Sequence, residues 1–159
     1  MTADDLRKEV VIELELIDAV LKELAKLCGD VSGREPTVRE KTAAAAFIAQ
    51  FYGGIENILK RISRFNDVPL PAGDTWHIDL FKSFCEPSRS HLPVLFEGSL
   101  ALAIAPYRQF RHVVYHGYSF QLDWSRMKEG MENIDAVYSR FKAAVSKYLQ
   151  TLSDEWKDV

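Results

Sequence analysis

The chain has 159 residues, of which 47% are hydrophobic and 27% are charged, and its formal net charge at pH 7 is −3. These values exclude a disordered or fibrous protein and predict one globular domain, spanning residues 1–159, with a substantial hydrophobic core. The negative charge also excludes a protein that coats nucleic acid through bulk electrostatics, so any contact with nucleic acid must be local.

The first two helices are predicted from apolar spacing and from a capping motif. Apolar residues recur at alternating steps of three and four from Leu6 to Cys28, which is typical of an amphipathic helix, and Gly29 is expected to end it. A second helix is expected to begin near Thr37, because the segment from Thr37 to Glu40 has the residue types and spacing of a capping box.

The second helix carries apolar residues on two faces, which predicts burial on two sides. Its two central glycines, Gly53 and Gly54, each make the free energy of helix formation about 1 kcal/mol less favourable than alanine would. Because that cost needs a reason, we expect another helix to cross closely there. The stripes are Ala45, Ile48, Tyr52, Ile55, Leu59 and Ile62 on one face, and Phe47, Phe51, Ile58 and Phe65 on the other.

Three further helices complete the expected fold. The third is expected from Asp74 or Thr75 to Phe84, and the fourth from about Pro93, with a kink or a restart at Pro106, where proline removes a backbone donor. No useful length of sequence alternates like a strand, so we expect an all-α antiparallel bundle of about five helices. The last helix has a regular apolar seam: Met127, Met131, Ile134, Tyr138, Phe141, Val145, Tyr148 and Leu152.

We expect a cytoplasmic protein with no membrane association. No apolar run approaches the roughly 18 residues needed to cross a bilayer, and the acidic amino terminus lacks the order of a secretory signal. Cys28 and Cys85 have no Cys or His partner at zinc spacing, so they are expected to be buried free thiols of a reducing compartment.

Unusual polar groups crowd together in the segment from Phe110 to Tyr118. At about 100° per residue, His116 lies on the border between an apolar side and a cationic side of a helix. Because Arg111 and His116 are about 140° apart on an ideal helix, a local distortion or a second chain must bring them together. The apolar side carries Phe110, Val113, Val114 and Gly117, and the cationic side carries Arg108, Arg111, His112 and Tyr115.

This segment resembles the HepT branch of the HEPN ribonucleases. Arg111, four residues, His116, one residue and Tyr118 match the Arg-x4-His-x-Tyr signature of that branch. The flanking residues 110–124 and the segment 54–61, Gly-Ile-Glu-Asn-Ile-Leu-Lys-Arg, also resemble HepT-like proteins. Together with the helical layout, the likeness covers most of the chain, although only the Arg/His/Tyr motif carries chemistry.

The resemblance implies a metal-independent RNA endonuclease that acts as a symmetric homodimer, with the two motifs facing each other in one cleft. It implies no cofactor and no metal site. It also implies the toxin of a HEPN/MNT toxin–antitoxin pair, neutralised by a nucleotidyltransferase antitoxin that adds AMP to the motif tyrosine. Tyr118 is the matching position.

The chemistry of the motif suits RNA cleavage. Attack by a 2′-hydroxyl needs a base and an acid near neutral pH, and histidine can serve as either, so His116 is assigned to proton transfer. Arginine stays charged and its fork matches phosphate oxygens, so Arg111 is assigned to phosphate binding and transition-state stabilisation. Accessory RNA contacts are expected from Arg108, His112 and Tyr115.

One alternative function remains open from the sequence. The chain can instead be a non-catalytic helical accessory subunit that binds a minimal nucleotidyltransferase, although such a scaffold has no need for a general base.

His77 and His91 have acidic neighbours but no recognised metal spacing, and we expect them to be structural.

Overall fold

The computed structural model describes residues 1–154, with side chains described as far as residue 152. Over this range the fold consists of α-helices and contains no strand longer than an isolated bridge, which confirms the predicted all-α bundle. The helices are α1 (Ala3–Asp30), α2 (Val38–Phe65), α3 (Trp76–Lys82), α4 (Ser99–His116) and α5 (Trp124–Asp154), with a short 3-10 turn at Ser119–Gln121.

The long helix α1 lies antiparallel to both α2 and α5. Arg61 of α2 pairs with Glu9 and Glu13 of α1, at 2.7 and 2.9 Å. On the other side, the Tyr138 hydroxyl of α5 donates to the carbonyl of Leu14 at 2.9 Å. The core lies between these helices and α4. It buries the first predicted stripe of α2, Phe51 and Ile58 of the second stripe, and most of the seam of α5.

The capping prediction for α2 is confirmed. The Thr37 hydroxyl accepts from the amide of Glu40 at 3.2 Å, and the Glu40 carboxylate accepts from the amide of Thr37 at 2.9 Å. Arg34 adds a bidentate pair to the same carboxylate, at 2.6 and 2.7 Å. Together these donors lower the pKa of Glu40 to about 2, with the Arg34 hydrogen bond as the largest cause.

The first helix runs one residue past Gly29, to Asp30.

The two central glycines of α2 have different surroundings. A Cβ at Gly54 would lie 2.5 Å from Cγ1 of Ile17, so this position is the expected close crossing of α1 and α2. A Cβ at Gly53 would meet nothing within 4 Å. The crossing therefore explains Gly54 and leaves Gly53 without a packing reason.

The predicted start of the fourth helix near Pro93 is wrong. Residues 93–98 are not helical, because the amides of Leu95 and Phe96 both donate to the carbonyl of Phe84. The side chains of Leu95 and Phe96 are buried. The predicted restart at Pro106 is also wrong, since α4 continues through it. The side chain four residues earlier, Leu102, is 79% exposed, so water can reach the carbonyl that proline leaves without a donor.

The two cysteines are free thiols, as expected, but each is half-buried rather than fully buried. Burial raises the pKa of both Cys28 and Cys85, which keeps them protonated and unreactive near neutral pH. Within the described part of the chain, the helices lack the combined length and apolar character that a membrane span requires.

Candidate functional site

The motif residues of α4 lie in two different environments. The Arg111 side chain is only 26% exposed and points towards α2, whereas His116 is exposed. The expected division of this helix into an anchored apolar side and a solvent-facing cationic side is therefore partly wrong. Phe110 and Val114 pack against the core as expected, but Val113 is 52% exposed.

A buried carboxylate explains why Arg111 points inward. Glu56 of α2 is 2% exposed, and its Oε1 lies 3.5 Å from Nε of Arg111. An ionised carboxylate taken out of water needs a cation or several hydrogen-bond donors, and Arg111 provides both. The polar environment of Glu56 thus overrides the helical pattern and fixes the direction of the guanidinium.

His77 of α3 contacts both members of this pair. Its Nδ1 lies 2.5 Å from Oε2 of Glu56, and its Nε2 lies 3.1 Å from Nη1 of Arg111. A carboxylate can only accept and a guanidinium can only donate, so Nδ1 carries the proton and Nε2 accepts. Glu56, His77 and Arg111 form a closed polar ring, which we call the Glu56 ring.

The contact between His77 and Arg111 was not foreseen from the sequence, where His77 was expected to be structural. The two residues are 34 positions apart and belong to different helices, so local spacing carries no information about their contact. One signal was present: Glu56 is a charged residue between Ile55 and Ile58 on a helix that is otherwise buried on two faces.

Arg108 lies one turn before Arg111 and extends the positive charge of the site. Its Nε is buried without a hydrogen-bond partner among the described residues, and its guanidinium carbon lies 5.3 Å from the centroid of the Phe81 ring. Burial, followed by the charge of Glu56, raises the pKa of Tyr52, while Arg108 and Arg111 lower it. Tyr52, Glu56, Arg108 and Arg111 therefore lie close enough together to affect one another electrostatically.

His116 and Arg111 do not meet within one chain. The rings of His112 and His116, one turn apart, lie 4.3 Å from each other, and both are exposed. No hydrogen bond joins Arg111 to His116 in the described range, and α4 is helical throughout residues 111–116. The local distortion considered from the sequence is therefore not observed.

The accessory aromatic residues of the motif are strongly exposed. Tyr115 is 63% exposed, and its ring lies 4.8 Å from the guanidinium carbon of Arg111. Tyr118 is 70% exposed, and its ring stacks on that of Phe120 with 5.6 Å between centroids. The phenol that was predicted to accept AMP is thus accessible from solvent in a single chain.

A family model described as HepT-like protein matches residues 43–152, which is more than half of the chain. The matched range includes most of α2 and all of α3 and α4, and therefore Glu56, His77, Arg111 and His116. No curated protein and no solved structure matches the chain.

Proposed function

The chain belongs to the HepT-like family, and from that membership we propose that it is a metal-independent RNA endonuclease, the toxin of a HEPN/MNT toxin–antitoxin pair. The observation that carries the proposal is the placement of Arg111. Its guanidinium is held by the Glu56 ring at the edge of an open cleft, where a phosphate can approach it.

The proposed reaction is a transesterification within the RNA strand. A base removes the proton of a ribose 2′-hydroxyl, whose oxygen attacks the neighbouring phosphorus. The bond from phosphorus to the 5′-oxygen breaks, and an acid protonates that oxygen. His116 supplies the proton transfer, and Arg111 binds the non-bridging oxygens as negative charge develops on them.

The proposed active form is a homodimer. In an isologous dimer the same surface of each protomer forms the interface, so an interface around α4 can bring Arg111 of one protomer close to the partner's His116. Large exposed side chains surround the motif and support such an interface. They are Val113 at 52%, Tyr115 at 63%, Tyr118 at 70% and Phe120 at 71% exposure.

The proposed antitoxin is a small nucleotidyltransferase that transfers AMP to the hydroxyl of Tyr118. The exposure of Tyr118 supports this assignment, because a modifying enzyme must reach the phenol. Each added AMP brings a negative charge and considerable bulk next to a site built for phosphate, so it would repel and block RNA. We place this pair in the cytoplasm, where Cys28 and Cys85 remain thiols.

Cleavage of RNA by the purified chain in the presence of EDTA tests the proposal. Arg111→Ala and His116→Ala should each lower the rate at least about a hundredfold, the usual effect of removing a charge-stabilising donor or a proton-transfer group. The matched control is Arg126→Ala, whose side chain is 90% exposed and makes only a surface pair. Cleavage that survives both motif substitutions would refute the assignment.

Mixing the two inactive variants tests the shared site. Random exchange makes half of the dimers mixed, and each mixed dimer has one intact pair of Arg111 and the partner's His116. The mixture should therefore regain about a quarter of the parent activity. A mixture that stays inactive, although exchange of subunits is verified by mass, would show that both groups act from the same chain.

The alternative function is a non-catalytic subunit that binds the nucleotidyltransferase. It is favoured by the separation of Arg111 and His116 within one chain. The same assay distinguishes the two functions. A chain that accepts AMP on Tyr118 but cuts no RNA, at protein concentrations where it is dimeric, is a scaffold.

A further inference from the structure

A cleft of about 400 Å³ opens between α1, α2 and α4, and Arg111 and Tyr115 form its rim. Gly53 lies in its wall, and nothing stands within 4 Å of where a side chain at that position would begin. Glycine is disfavoured inside helices, and packing explains Gly54 but not Gly53. The missing side chain of Gly53 therefore has one evident effect, which is to keep this cleft open.

The cleft combines apolar walls with amide groups. Leu16, Ile17 and Val20 of α1 form an apolar wall, and Leu16 is 58% exposed and so accessible to a ligand. The side-chain amides of Gln50 and Asn57 stand on α2. Asn57 donates one N–H to Glu13 at 3.4 Å, which leaves its other N–H and its oxygen for a ligand.

The cleft offers an anion two cationic side chains, one of which, Arg111, also pairs with Glu56 at 3.5 Å. Arg111 and Lys60 both line it. The two carboxylates in its wall are already paired. Glu13 accepts from Arg61 at 2.9 Å, and Glu56 accepts from His77 at 2.5 Å.

We propose that this cleft binds the base of the nucleotide whose phosphate lies on Arg111. A nucleobase has two apolar faces and an edge of donors and acceptors, which matches an apolar wall, an exposed aromatic ring and two amides. The part of the proposal that calls this phosphate the scissile one rests on the proposed function. If the chain cleaves RNA as proposed, the cleft determines which base is accepted beside the cleavage position.

Binding of small nucleotides tests the cleft without any need for cleavage. The four nucleoside 3′-monophosphates, and ribose 5-phosphate as a probe without a base, are titrated into the full chain and followed by amide NMR. At least one nucleotide should bind about tenfold or more tightly than ribose 5-phosphate, the usual scale of base stacking. It should also shift the amide signals of Gly53, Gln50 and Asn57.

A substitution that fills the cleft provides a second test of nucleotide binding. Gly53→Leu improves helix propensity and meets no neighbouring atom at its Cβ, so it should remain folded. It should reduce nucleotide affinity to that of ribose 5-phosphate. The matched control is Gly29→Leu, a glycine of α1 that also has free space around its Cβ and does not line the cleft. Asn57→Ala, at an exposed position, provides a second variant and should change which base binds best.

The results separate this inference from the proposed function. Equal binding of nucleotides and ribose 5-phosphate, or affinity that survives Gly53→Leu, overturns the base pocket even if RNA is cut. Base-dependent binding that requires Gly53 supports the pocket even if the chain cuts no RNA. Where the chain does cut, Gly53→Leu should abolish its base preference at one position beside the cut, and an unchanged preference counts against the pocket.

Discussion

Substituting Glu56 by Gln removes a buried charge while keeping the size of the side chain. Oε1 of Glu56 lies 3.5 Å from Nε of Arg111, and its Oε2 accepts from His77 at 2.5 Å. A hydrogen bond to a charged group contributes about 1.5–3 kcal/mol, and breaking a buried ion pair costs more. Because the Arg111 side chain is 26% exposed, it can turn towards water and recover part of this loss.

We therefore expect Glu56→Gln to lower the free energy of unfolding by about 2 kcal/mol, which corresponds to a fall in Tm of about 4–8 °C for a chain of this size. A protein with a typical stability of about 5 kcal/mol or more would still be over about 99% folded. Loss of folded protein thus accounts for almost none of any decrease in activity. A guanidinium displaced by about 1 Å can slow the reaction by up to about a hundredfold.

The measurements are urea unfolding and RNA cleavage in EDTA at the same temperature. Glu9→Gln is the matched control, because Glu9 is 36% exposed and makes a surface pair with Arg61, worth at most about 1 kcal/mol. It should leave cleavage unchanged. If Glu56→Gln cuts RNA at the parent rate, the claim that the Glu56 ring positions Arg111 for catalysis is refuted, whatever happens to stability.

Three further substitutions test other parts of the structure. Gly54→Ala places a Cβ 2.5 Å from Ile17, so it should destabilise the fold by about 1–3 kcal/mol in urea unfolding, and a neutral result would contradict the close crossing. The lowered pKa of Glu40, about 2 beside Arg34, means that its ionised form stabilises the fold above about pH 5 and that this contribution is lost as the pH falls towards 2. The stability difference between the parent and Glu40→Gln should shrink over that range, whereas a constant difference would oppose the assignment. Tyr118→Phe should retain cleavage but accept no AMP from the cognate nucleotidyltransferase, as measured by intact mass, and a label on another residue would refute the modification site.

Most helices could be predicted because their signals are local. The capping box at Thr37 and the three-four spacing of α1 and α5 each depend on residues within a few positions of one another. The start of α4 was missed because its cause is distant along the chain: Leu95 and Phe96 bond to the carbonyl of Phe84 and leave the helix to begin at Ser99.

The candidate site shows the same division. The motif residues Arg111 and His116 were found because they are separated by a fixed spacing in one helix. The Glu56 ring was not found, because it joins three helices through side chains whose contacts are visible only after folding. The environment of Arg111 therefore depends on tertiary structure, although its identity as a candidate does not.

The regular geometry of α4 has a consequence for how activity depends on protein concentration. A rigid helix holds Arg111 and His116 on different sides, so under the proposed function a lone copy is inert and activity appears only above the dissociation constant of the pair. At low levels the turnover would then rise with the square of the protein concentration. A few molecules that escape their antitoxin would therefore cleave very little RNA, while a tenfold rise in free protein would raise the cleavage rate about a hundredfold.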